Sequence, residues 1–493
     1  MPTCETRTVG TRAASVRGIG CRISAGRGTV PWGVVLALAL AHAPGAAAGE
    51  PIALHPENPR YFLFRGEPTI LVTSAEHYGA VLNRDFDYVR YLDELQAHGL
   101  NYTRIFVGAY VEPPGAFNIA RNTLAPAPGR FICPWARSDE PGYAGGGNKF
   151  DLDRWDEDYF RRLRDFVAQA GRRGVVVEVT LFCPYYEEGM WALSPLNAAN
   201  NVNGIGTVAR TEALSLKDEK LLAVQQAMVR KVVAELNAFD NYFYEACNEP
   251  YIRNLAAPEW ERRIIDTIVE AQRDLPRQHL IAQNIANGAK KIEDPHPAVS
   301  IFNFHYAFPP DAVAMNYHLG RVIGNDETGF RGTGDRHYRR EGWEFLIAGG
   351  GLYNNLDYSF AVGYEDGTFE YPSTQPGGGG RSLRRQMAIL KEFLHGFDFL
   401  RMKPDNGVIR GGVPADGSAR ALVEPGRQYA IYVHGGTEAR LTLELPAGAY
   451  RARWVNTRTG EVDRSQDLDH GGGPVTLTSS RYEEDIALRI VVR

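Results

Sequence analysis

Between residues 69 and 359, short runs of β-branched and aromatic residues alternate with longer segments whose apolar positions recur at helical spacing. Eight of the short runs predict strands: TILVTS (69–74), YTRIFV (102–107), VVVEVTLF (175–182), YFYEAC (242–247), HLIAQN (279–284), VSIFNF (299–304), RVIGND (321–326) and GLYNNLDYS (351–359). The longer segments predict helices at 86–99, 155–174, 217–239, 258–275, 341–350 and 381–397. The spacers AKKIED and DAVAMNYHLG, after the fifth and sixth runs, are too short to assign.

Eight strand–helix units in one chain predict a (β/α)8 TIM barrel, because an open doubly wound sheet, the alternative, normally has fewer strands. After Lys403 the pattern changes to glycine-punctuated strands without a helix: SARALVE, QYAIYVH, ARLTLEL, YRARWVN, PVTLT and IALRIVV. We therefore expect a barrel domain over 49–403 and a small C-terminal antiparallel β-sandwich over 404–493. Such a module more often caps a barrel than binds a ligand of its own.

The first 48 residues have the composition of an export signal. Five arginines precede the apolar run WGVVLALALA, and three alanines stand directly before Gly49. His42 and Pro44 end the apolar run well short of the ~20 residues that a membrane-spanning helix needs, so stable membrane insertion is not expected. The segment 1–48 predicts a signal peptide and a secreted or periplasmic protein.

The net charge and the cysteine content bear on nucleic-acid binding, on disulfide pairing and on metal binding. The whole chain has a net charge of −5, and it is more acidic without the arginine-rich leader, which makes nucleic acid a poor partner. Beyond residue 48 only Cys133, Cys183 and Cys247 remain, so one disulfide is possible but buried free thiols are at least as well supported. No CxxC or HExxH motif occurs, and neither a metal nor a cofactor is expected.

Two long loops are predicted at the mouth of the barrel, over 111–150 and 183–206, and chemistry in this fold lies at that end. Aromatic rings beside asparagines suit sugars, whose C–H faces stack and whose hydroxyls need polar partners. The alternative is that the rings only pack the loops into lids. The aromatic residues of the two loops are Phe117, Trp135, Tyr143, Tyr185, Tyr186 and Trp191.

The fourth predicted strand runs into Ala246-Cys247-Asn248-Glu249-Pro250. Asn-Glu-Pro at the end of a fourth barrel strand resembles the acid/base motif of clan A glycoside hydrolases. The resemblance implies a second carboxylate, the nucleophile, at the end of the seventh strand. RVIGNDETGF supplies Glu327 there, and the adjacent Asp326 is the alternative.

A pair of carboxyl groups suits displacement at an anomeric carbon with retention of configuration. One group attacks the carbon while the other protonates the leaving oxygen, and the two lie ~5–5.5 Å apart. We expect the negative charge of Glu327 to keep Glu249 protonated near neutral pH. When the covalent intermediate removes that charge, Glu249 can ionise and act as the base for water.

The resemblance also implies roles for residues at other strand ends. Arg104 would orient the nucleophile, with a purely structural ion pair as the alternative. Asn248 would bind the sugar 2-hydroxyl, and His305 and Tyr306 would lie beside the nucleophile. Because His305 and Tyr306 are adjacent in the sequence, strand geometry guarantees an inward direction for only one of them.

The chain departs from the clan at the end of strand eight, and the roles of the residues after strand one stay open. Many clan members have a tryptophan at the end of strand eight, where this chain offers Tyr353 as a substrate contact. After the first strand, Glu76 and His77 could bind hydroxyls or pair with each other.

Together these features resemble the apiosidase-like and cellulase-like members of the clan. They imply an exported retaining glycoside hydrolase that cleaves β-type or equivalent bonds in poly- or oligosaccharides by double displacement. A catalytically silent carbohydrate-binding protein on the same barrel is the alternative, and the absence of GxSxG argues against an esterase. Endo or exo action and the oligomeric state stay open.

Overall fold

A parallel eight-stranded barrel dominates residues 49–493, the part of the chain that the computed structural model describes. Its strands are β1 (Leu71–Ala75), β2 (Tyr102–Phe106), β3 (Val176–Thr180), β4 (Tyr242–Glu245), β5 (Ile281–Asn287), β6 (Ile301–His305), β7 (Val322–Glu327) and β8 (Leu352–Leu356). Strands β2 to β8 pair in chain order, and β8 pairs with β1. Between β1 and β2 the Asn101 side chain accepts a hydrogen bond of 2.9 Å from the Val72 amide. The predicted barrel is confirmed, and the order excludes a doubly wound sheet.

Eight helices pack around or above the barrel. They are α1 (Tyr88–Ala97), α2 (Glu157–Arg172), α3 (Glu188–Leu193), α4 (Glu219–Leu236), α5 (Pro258–Gln272), α6 (Asp311–Asn316), α7 (Asp335–Ile347) and α8 (Arg381–His395). The spacer after β5 contains no helix, and the spacer after β6 contains the short α6. Helix α7 begins six residues before the predicted start at 341, because its first turns bury Arg339 in an ion pair with Asp485 of the C-terminal region. That distant partner is invisible in the local pattern.

The amino-terminal end of the barrel is closed by a small three-stranded sheet. Its strands are Ala53–Leu54, Phe62–Phe64 and Glu67–Thr69. Phe62 stacks against Phe243 of β4 with ring centres 6.2 Å apart, in an apolar layer that seals this end. Polar side chains inside the barrel therefore collect at the opposite end, where the strands finish.

The C-terminal region forms two antiparallel sheets that share one apolar core. Their strands are β9 (Lys403–Pro404), β10 (Ile409–Gly411), β11 (Ser418–Glu424), β12 (Gln428–His434), β13 (Arg440–Leu445), β14 (Gly448–Val455), β15 (Val462–His470), β16 (Gly473–Thr478) and β17 (Asp485–Val492). The predicted sandwich is confirmed. Strand β15 was not predicted, because it lies at a sheet edge and its mostly exposed polar residues show no apolar alternation.

The sandwich packs on helices α7 and α8 of the barrel. Trp343 of α7 stacks on Tyr432 of β12 with ring centres 5.4 Å apart, and Glu344 accepts hydrogen bonds from Ser418 (2.8 Å) and Arg420 (2.9 Å). The described residues form one compact unit. The division into separate domains at 403 and 404 stays a prediction.

The predicted signal peptide at 1–48 lies outside the described residues. From residue 49 onward, no helix combines the length and apolarity needed to cross a bilayer. Cys133, Cys183 and Cys247 are all buried and unpaired. The free-thiol alternative therefore holds for the described chain.

Candidate active site

A pocket of about 400 Å³ opens at the carboxyl ends of the barrel strands. Four of the loops around it are numbered by the barrel strand that they follow: loop 2 (107–156), loop 3 (181–218), loop 7 (328–334) and loop 8 (357–380). The residues that line the pocket are His77, Tyr78, Phe106, Glu112, Phe117, Leu124, Cys183, Tyr186, Asn248, Glu249, Tyr306, Glu327 and Phe330. Both predicted catalytic glutamates are among them.

Glu249 reaches the pocket four residues after β4 ends. Its backbone has a positive φ of 39°, which a side-chain-bearing residue adopts only when surrounding contacts hold it. Its amide donates to Asn284 Oδ1 (3.2 Å), and Tyr186 donates a 2.7 Å hydrogen bond to its Oε2. His305 Nδ1 lies 3.1 Å from its Oε1. The carboxyl group is therefore fixed from both sides and only 8% of the residue is exposed.

Glu327 is the last residue of β7 and faces the pocket because of a local irregularity. In regular pairing, Asp326 and Glu327 would point to opposite sides of the strand. The register with β6 shifts here, so that Phe304 pairs with Asn325 and His305 with Glu327. This bulge brings two consecutive carboxylates to the inside of the barrel.

The two neighbouring acids have different environments. Tyr306 donates a 2.6 Å hydrogen bond to Glu327 Oε1, and Tyr78 donates one of 3.0 Å to Glu327 Oε2. Asp326 is fully buried and does not line the pocket; it lies 3.4 Å from the guanidinium of Arg104. Of the two residues that the sequence left open, Glu327 is the one that a ligand in the pocket can touch.

The two glutamates face each other closely. One carboxylate oxygen of Glu249, one of Glu327 and a ring nitrogen of His305 all lie within 4.8 Å of one another. These three residues, and separately Glu178, Glu245 and Asp326, are the described groups compact enough for a metal ion. In the first group, tyrosine hydroxyls already donate to both carboxylates. The expectation that no metal is needed stays a prediction.

Arg104 organises the floor beneath the pocket. It is fully buried, and it donates to Glu245, to Asn248 Oδ1 (2.8 Å) and to Glu327 Oε2 (3.4 Å). Asn248 in turn donates to the Tyr186 hydroxyl (2.8 Å). One cation thereby links the ends of β2, β4 and β7.

The floor also contains more buried carboxylates than cations. Burial raises the pKa of Glu245 to about 7, although Arg104 opposes the shift, and burial together with the charge of Glu245 raises the pKa of Glu178 well above its usual range. Burial also acts on Asp326, but Arg104 and His305 outweigh it and the pKa is lowered. Protonated glutamates beneath the pocket therefore limit the buried negative charge.

His305 and Tyr306 both contact the carboxylates, although adjacent residues of a regular strand would point to opposite sides. His305 ends β6 and faces inward, and Tyr306 reaches Glu327 because its positive φ of 49° turns the chain. Burial lowers the pKa of His305, but the charges of Glu327 and Asp326 and the contact with Glu249 outweigh burial, so the net pKa lies well above 6.5.

The predicted protonation of Glu249 is reversed in this arrangement. Burial raises the pKa of Glu249, but the hydrogen bond and the charge of His305 outweigh burial, and the net pKa is below its ordinary value. A charge on Glu327 is therefore not what sets the protonation state of Glu249. The opposite directions of the two pKa shifts favour a proton on His305 rather than on Glu249.

A second acid–base pair forms another part of the wall. His77 Nε2 lies 3.5 Å from Glu112 Oε2, and both residues line the pocket. Glu112 also accepts hydrogen bonds from Tyr110 (2.9 Å) and Asn122. His77 was predicted as a substrate contact, whereas Glu112, near the start of an irregular loop, gave no signal.

Three predicted substrate contacts lie away from the pocket. Glu76 is fully buried and accepts from the amides of Gly79 and Ala80, both at 3.1 Å, so it shapes the turn after β1. Trp191, in α3, packs on Tyr185 inside loop 3.

The third, Tyr353, donates to the Tyr338 carbonyl (2.8 Å) between β8 and α7. Two residues outside the predicted catalytic and substrate-binding set, Tyr78 and Tyr186, donate to the glutamates. Tyr186 is one of the aromatic residues of the two predicted loops, whereas Tyr78 follows the first strand, directly after Glu76 and His77.

Comparison with solved structures places the barrel among known folds. A candidate glycoside hydrolase from Bacteroides vulgatus superposes with a TM-score of 0.64 at 14% identity, over 91% of this chain and 83% of that one. A glycoside hydrolase of family 5 from the same organism gives 0.60 at 14% identity, over 90% and 93%. This chain has the fold of these glycoside hydrolases.

The resemblance predicted from the sequence is thus confirmed at the level of the fold. A third glycoside hydrolase structure gives a TM-score of 0.58 at 13% identity, over 90% of this chain and 97% of that one. Neither a protein-family model nor a curated protein matches the sequence. At such low identity the argument for activity depends on the site itself.

Proposed function

We propose that this protein is a retaining glycoside hydrolase in which Glu327 is the nucleophile and Glu249 the acid/base. The observation that carries the proposal is the approach of the two carboxylates within 4.8 Å in one pocket. Retaining enzymes hold their carboxyl groups ~5–5.5 Å apart, whereas inverting enzymes need ~6.5–9.5 Å for an intervening water. The spacing favours the retaining reaction.

In the first step, Glu327 Oε attacks the anomeric carbon while the glycosidic oxygen leaves with a proton from Glu249. Arg104 and Tyr78 hold Oε2 of Glu327, and Tyr306 holds Oε1, so the nucleophile is oriented before the sugar binds. In the second step, ionised Glu249 takes a proton from water, whose oxygen displaces Glu327 from the carbon. The configuration is inverted twice and so retained.

The leaving oxygen takes its proton from the pair formed by Glu249 and His305. The raised pKa of His305 and the lowered pKa of Glu249 favour a proton on the imidazole, whose Nδ1 lies 3.1 Å from the carboxylate. A bound sugar excludes water from the site, which disfavours the separated ion pair and moves the proton to Glu249. The pair thus supplies an acid although Glu249 is ionised in the free protein.

Nucleophile replacement tests the assignment. Glu327→Gly should abolish cleavage of aryl glycosides, and azide should restore cleavage of an activated glycoside with a glycosyl azide of inverted configuration as product. Asp326→Asn is the matched control, since it changes the neighbouring acid outside the pocket and azide should not rescue it. Azide rescue of the Asp326 variant, or a retained configuration of the azide product, would contradict the proposal.

We also propose that the protein is exported, and the composition of residues 1–48 alone supports this. The substrate is proposed to be a carbohydrate with a β-type or equivalent linkage. The apiosidase-like or cellulase-like subgroup stays a prediction.

A further inference from the structure

We propose that the pocket admits only the terminal sugar of a glycan, an uncharged one whose hydroxyls bind Glu112 and His77, and that the enzyme releases single sugars from chain ends. The inference depends on the proposed glycosidase function and specifies its substrate class. It follows from the closed wall of the pocket, from the charges on that wall and from the unused polar atoms of this one pair.

Loops 2 and 3 are joined into a common wall on one side of the mouth. Tyr143 of loop 2 donates to the Leu193 carbonyl of loop 3 (2.8 Å), and the Val202 amide donates to the Phe150 carbonyl (2.9 Å). Loop 2 contributes a β-hairpin, Trp135–Pro141 with Asn148–Trp155, to this wall. These contacts hold loops 2 and 3 together, and both loops contribute residues to the pocket lining.

The wall continues through loops 7 and 8. Asn118 of loop 2 donates to the Thr374 carbonyl of loop 8 (2.8 Å), and the Gly332 amide of loop 7 donates to the Pro376 carbonyl of loop 8 (2.9 Å). Loops 7, 8, 2 and 3 are therefore joined in one continuous series, and loops 2, 3 and 7 each contribute residues to the pocket lining. Such a series would close one end of the groove that internal cleavage requires.

The charges on the pocket wall select against acidic sugars. The lining residues include Glu112, Glu249 and Glu327 but neither lysine nor arginine. Arg104 lies beneath the floor, where its guanidinium is engaged by Glu245, Asn248 and Glu327. The one basic side chain in the lining, His77, already faces Glu112 at 3.5 Å, so a uronic acid or a sulfated sugar would bring its charge close to three carboxylates and a neutral sugar fits best.

The His77–Glu112 pair provides polar atoms that the protein leaves unused. The side chain of His77 is only 10% exposed, yet neither ring nitrogen has a hydrogen-bond partner among the described residues. Glu112, 4% exposed, accepts two hydrogen bonds, which leaves acceptor capacity on its oxygens. Buried polar groups are costly unless paired, and a sugar with adjacent hydroxyls supplies both a donor and an acceptor.

The rim of the pocket suits the part of the substrate that leaves. Phe117 (41% exposed) lies edge-on to Tyr186, 5.5 Å away, and Tyr186 donates to the proposed acid Glu249. Phe330 (39% exposed) borders Tyr306 on the other side. These rings offer apolar faces for the next sugar or for an aglycone at the mouth, whereas the interior holds the terminal residue.

The first test compares chain lengths and charge. The purified protein is assayed with 4-nitrophenyl glycosides of glucose, galactose, mannose, xylose, arabinofuranose and glucuronic acid, and with glycosides in which a further sugar is attached to the glycone. We expect one neutral monoglycoside to be cleaved at least ~10-fold faster than its extended form and the glucuronide not to be cleaved. Faster cleavage of extended glycosides, or of the glucuronide, overturns this inference but leaves the glycosidase proposal standing. Cleavage of none of them overturns the proposed function and the inference with it.

The second test addresses Glu112 itself. Glu112→Gln should lower kcat/KM for the preferred glycoside about 10- to 100-fold, the effect of losing hydrogen bonds to a charged group. For at least one monodeoxy analogue of that glycoside, the same substitution should cost less than ~3-fold, because the partner hydroxyl is already missing.

Glu112→Asp, which keeps the charge, should recover part of the activity, and Glu187→Gln is the matched control because that side chain is 68% exposed. Equal losses for the parent and every deoxy analogue, in a variant with unchanged circular dichroism, would show that Glu112 acts only on the fold.

Discussion

Replacing His305 with glutamine tests whether the proton for the leaving group is shared with this ring. The imidazole lies 3.1 Å from Glu249, 3.6 Å from Glu327 and 3.4 Å from Asp326, and it is fully buried. Glutamine keeps a polar side chain of similar reach but carries no proton that it can release. The substitution therefore removes the charge and leaves the pocket-lining glutamates in place.

The size of the effect follows from the distances. Opposite unit charges about 3 Å apart interact by ~5 kcal/mol at an effective dielectric constant of ~20, before the cost of burial. Contacts of this kind lower the pKa of a carboxyl group by ~1–3 units, so the pKa of Glu249 should rise by about that amount in the variant. In the native protein the shared proton is lost only when His305, whose pKa lies well above 6.5, releases it.

The direction in which the pH profile shifts follows from which group holds the proton, His305 in the native protein and Glu249 in the variant. The acid step needs the proton, so activity is lost as the pH rises through the pKa of the group that holds it. In His305→Gln this group is Glu249, and the alkaline limb of kcat/KM should move at least ~1 pH unit downward.

The assay is a pH profile of kcat/KM for an aryl glycoside with a poor leaving group. His279→Gln is the matched control: His279 is a buried histidine between Tyr242 and the Phe239 carbonyl, and burial lowers its pKa to about 4. The His279→Gln variant should leave the alkaline limb of the pH profile unchanged. An unshifted alkaline limb in a folded His305→Gln protein would refute the shared proton.

Two further predictions concern the acid and the stability of the barrel. Glu249→Ala should slow release of poor leaving groups by ~10²–10⁴-fold while changing that of 2,4-dinitrophenolate far less, measured as the dependence of kcat/KM on leaving-group pKa; equal losses would contradict an acid role. Burial in α5 raises the pKa of Glu261 from 4.5 to about 8, so the stability from its bound proton is present below pH 4.5 and lost as the pH rises toward 8. Thermal unfolding of Glu261→Gln should therefore show a gain of a few kcal/mol over the native protein at pH 9 and little difference at pH 4.5, and the exposed Glu259→Gln should show no such pH-dependent gain.

Local pattern was sufficient for the barrel because each strand and most helices carry their own signal. Strand β3 is an uninterrupted buried run, and helices α2 and α8 alternate apolar and charged residues at helical spacing. The errors occur where long-range contacts replace local ones. The start of α7 depends on an ion pair with residue 485, and β15 is an edge strand whose one neighbouring strand is β14.

In the site, too, the features that depend on local sequence could be predicted and those that depend on long-range contacts could not. Glu249 and Glu327 could be found because strand ends in a barrel converge, whatever the loops do. Their protonation could not, because it depends on a bulge in β7 and on the turn at Tyr306, which bring the His305 imidazole and the Tyr306 phenol to the carboxylates.

Glu112 could be predicted from the sequence even less than the protonation of the two glutamates. It lies in an irregular loop of about fifty residues, where no period predicts which side chain turns inward, and only its packing against His77 and Tyr110 gives it a place. A barrel of this kind can therefore reveal its chemistry from sequence through the strand ends, whereas its substrate is determined by loop residues that acquire meaning only in the folded structure.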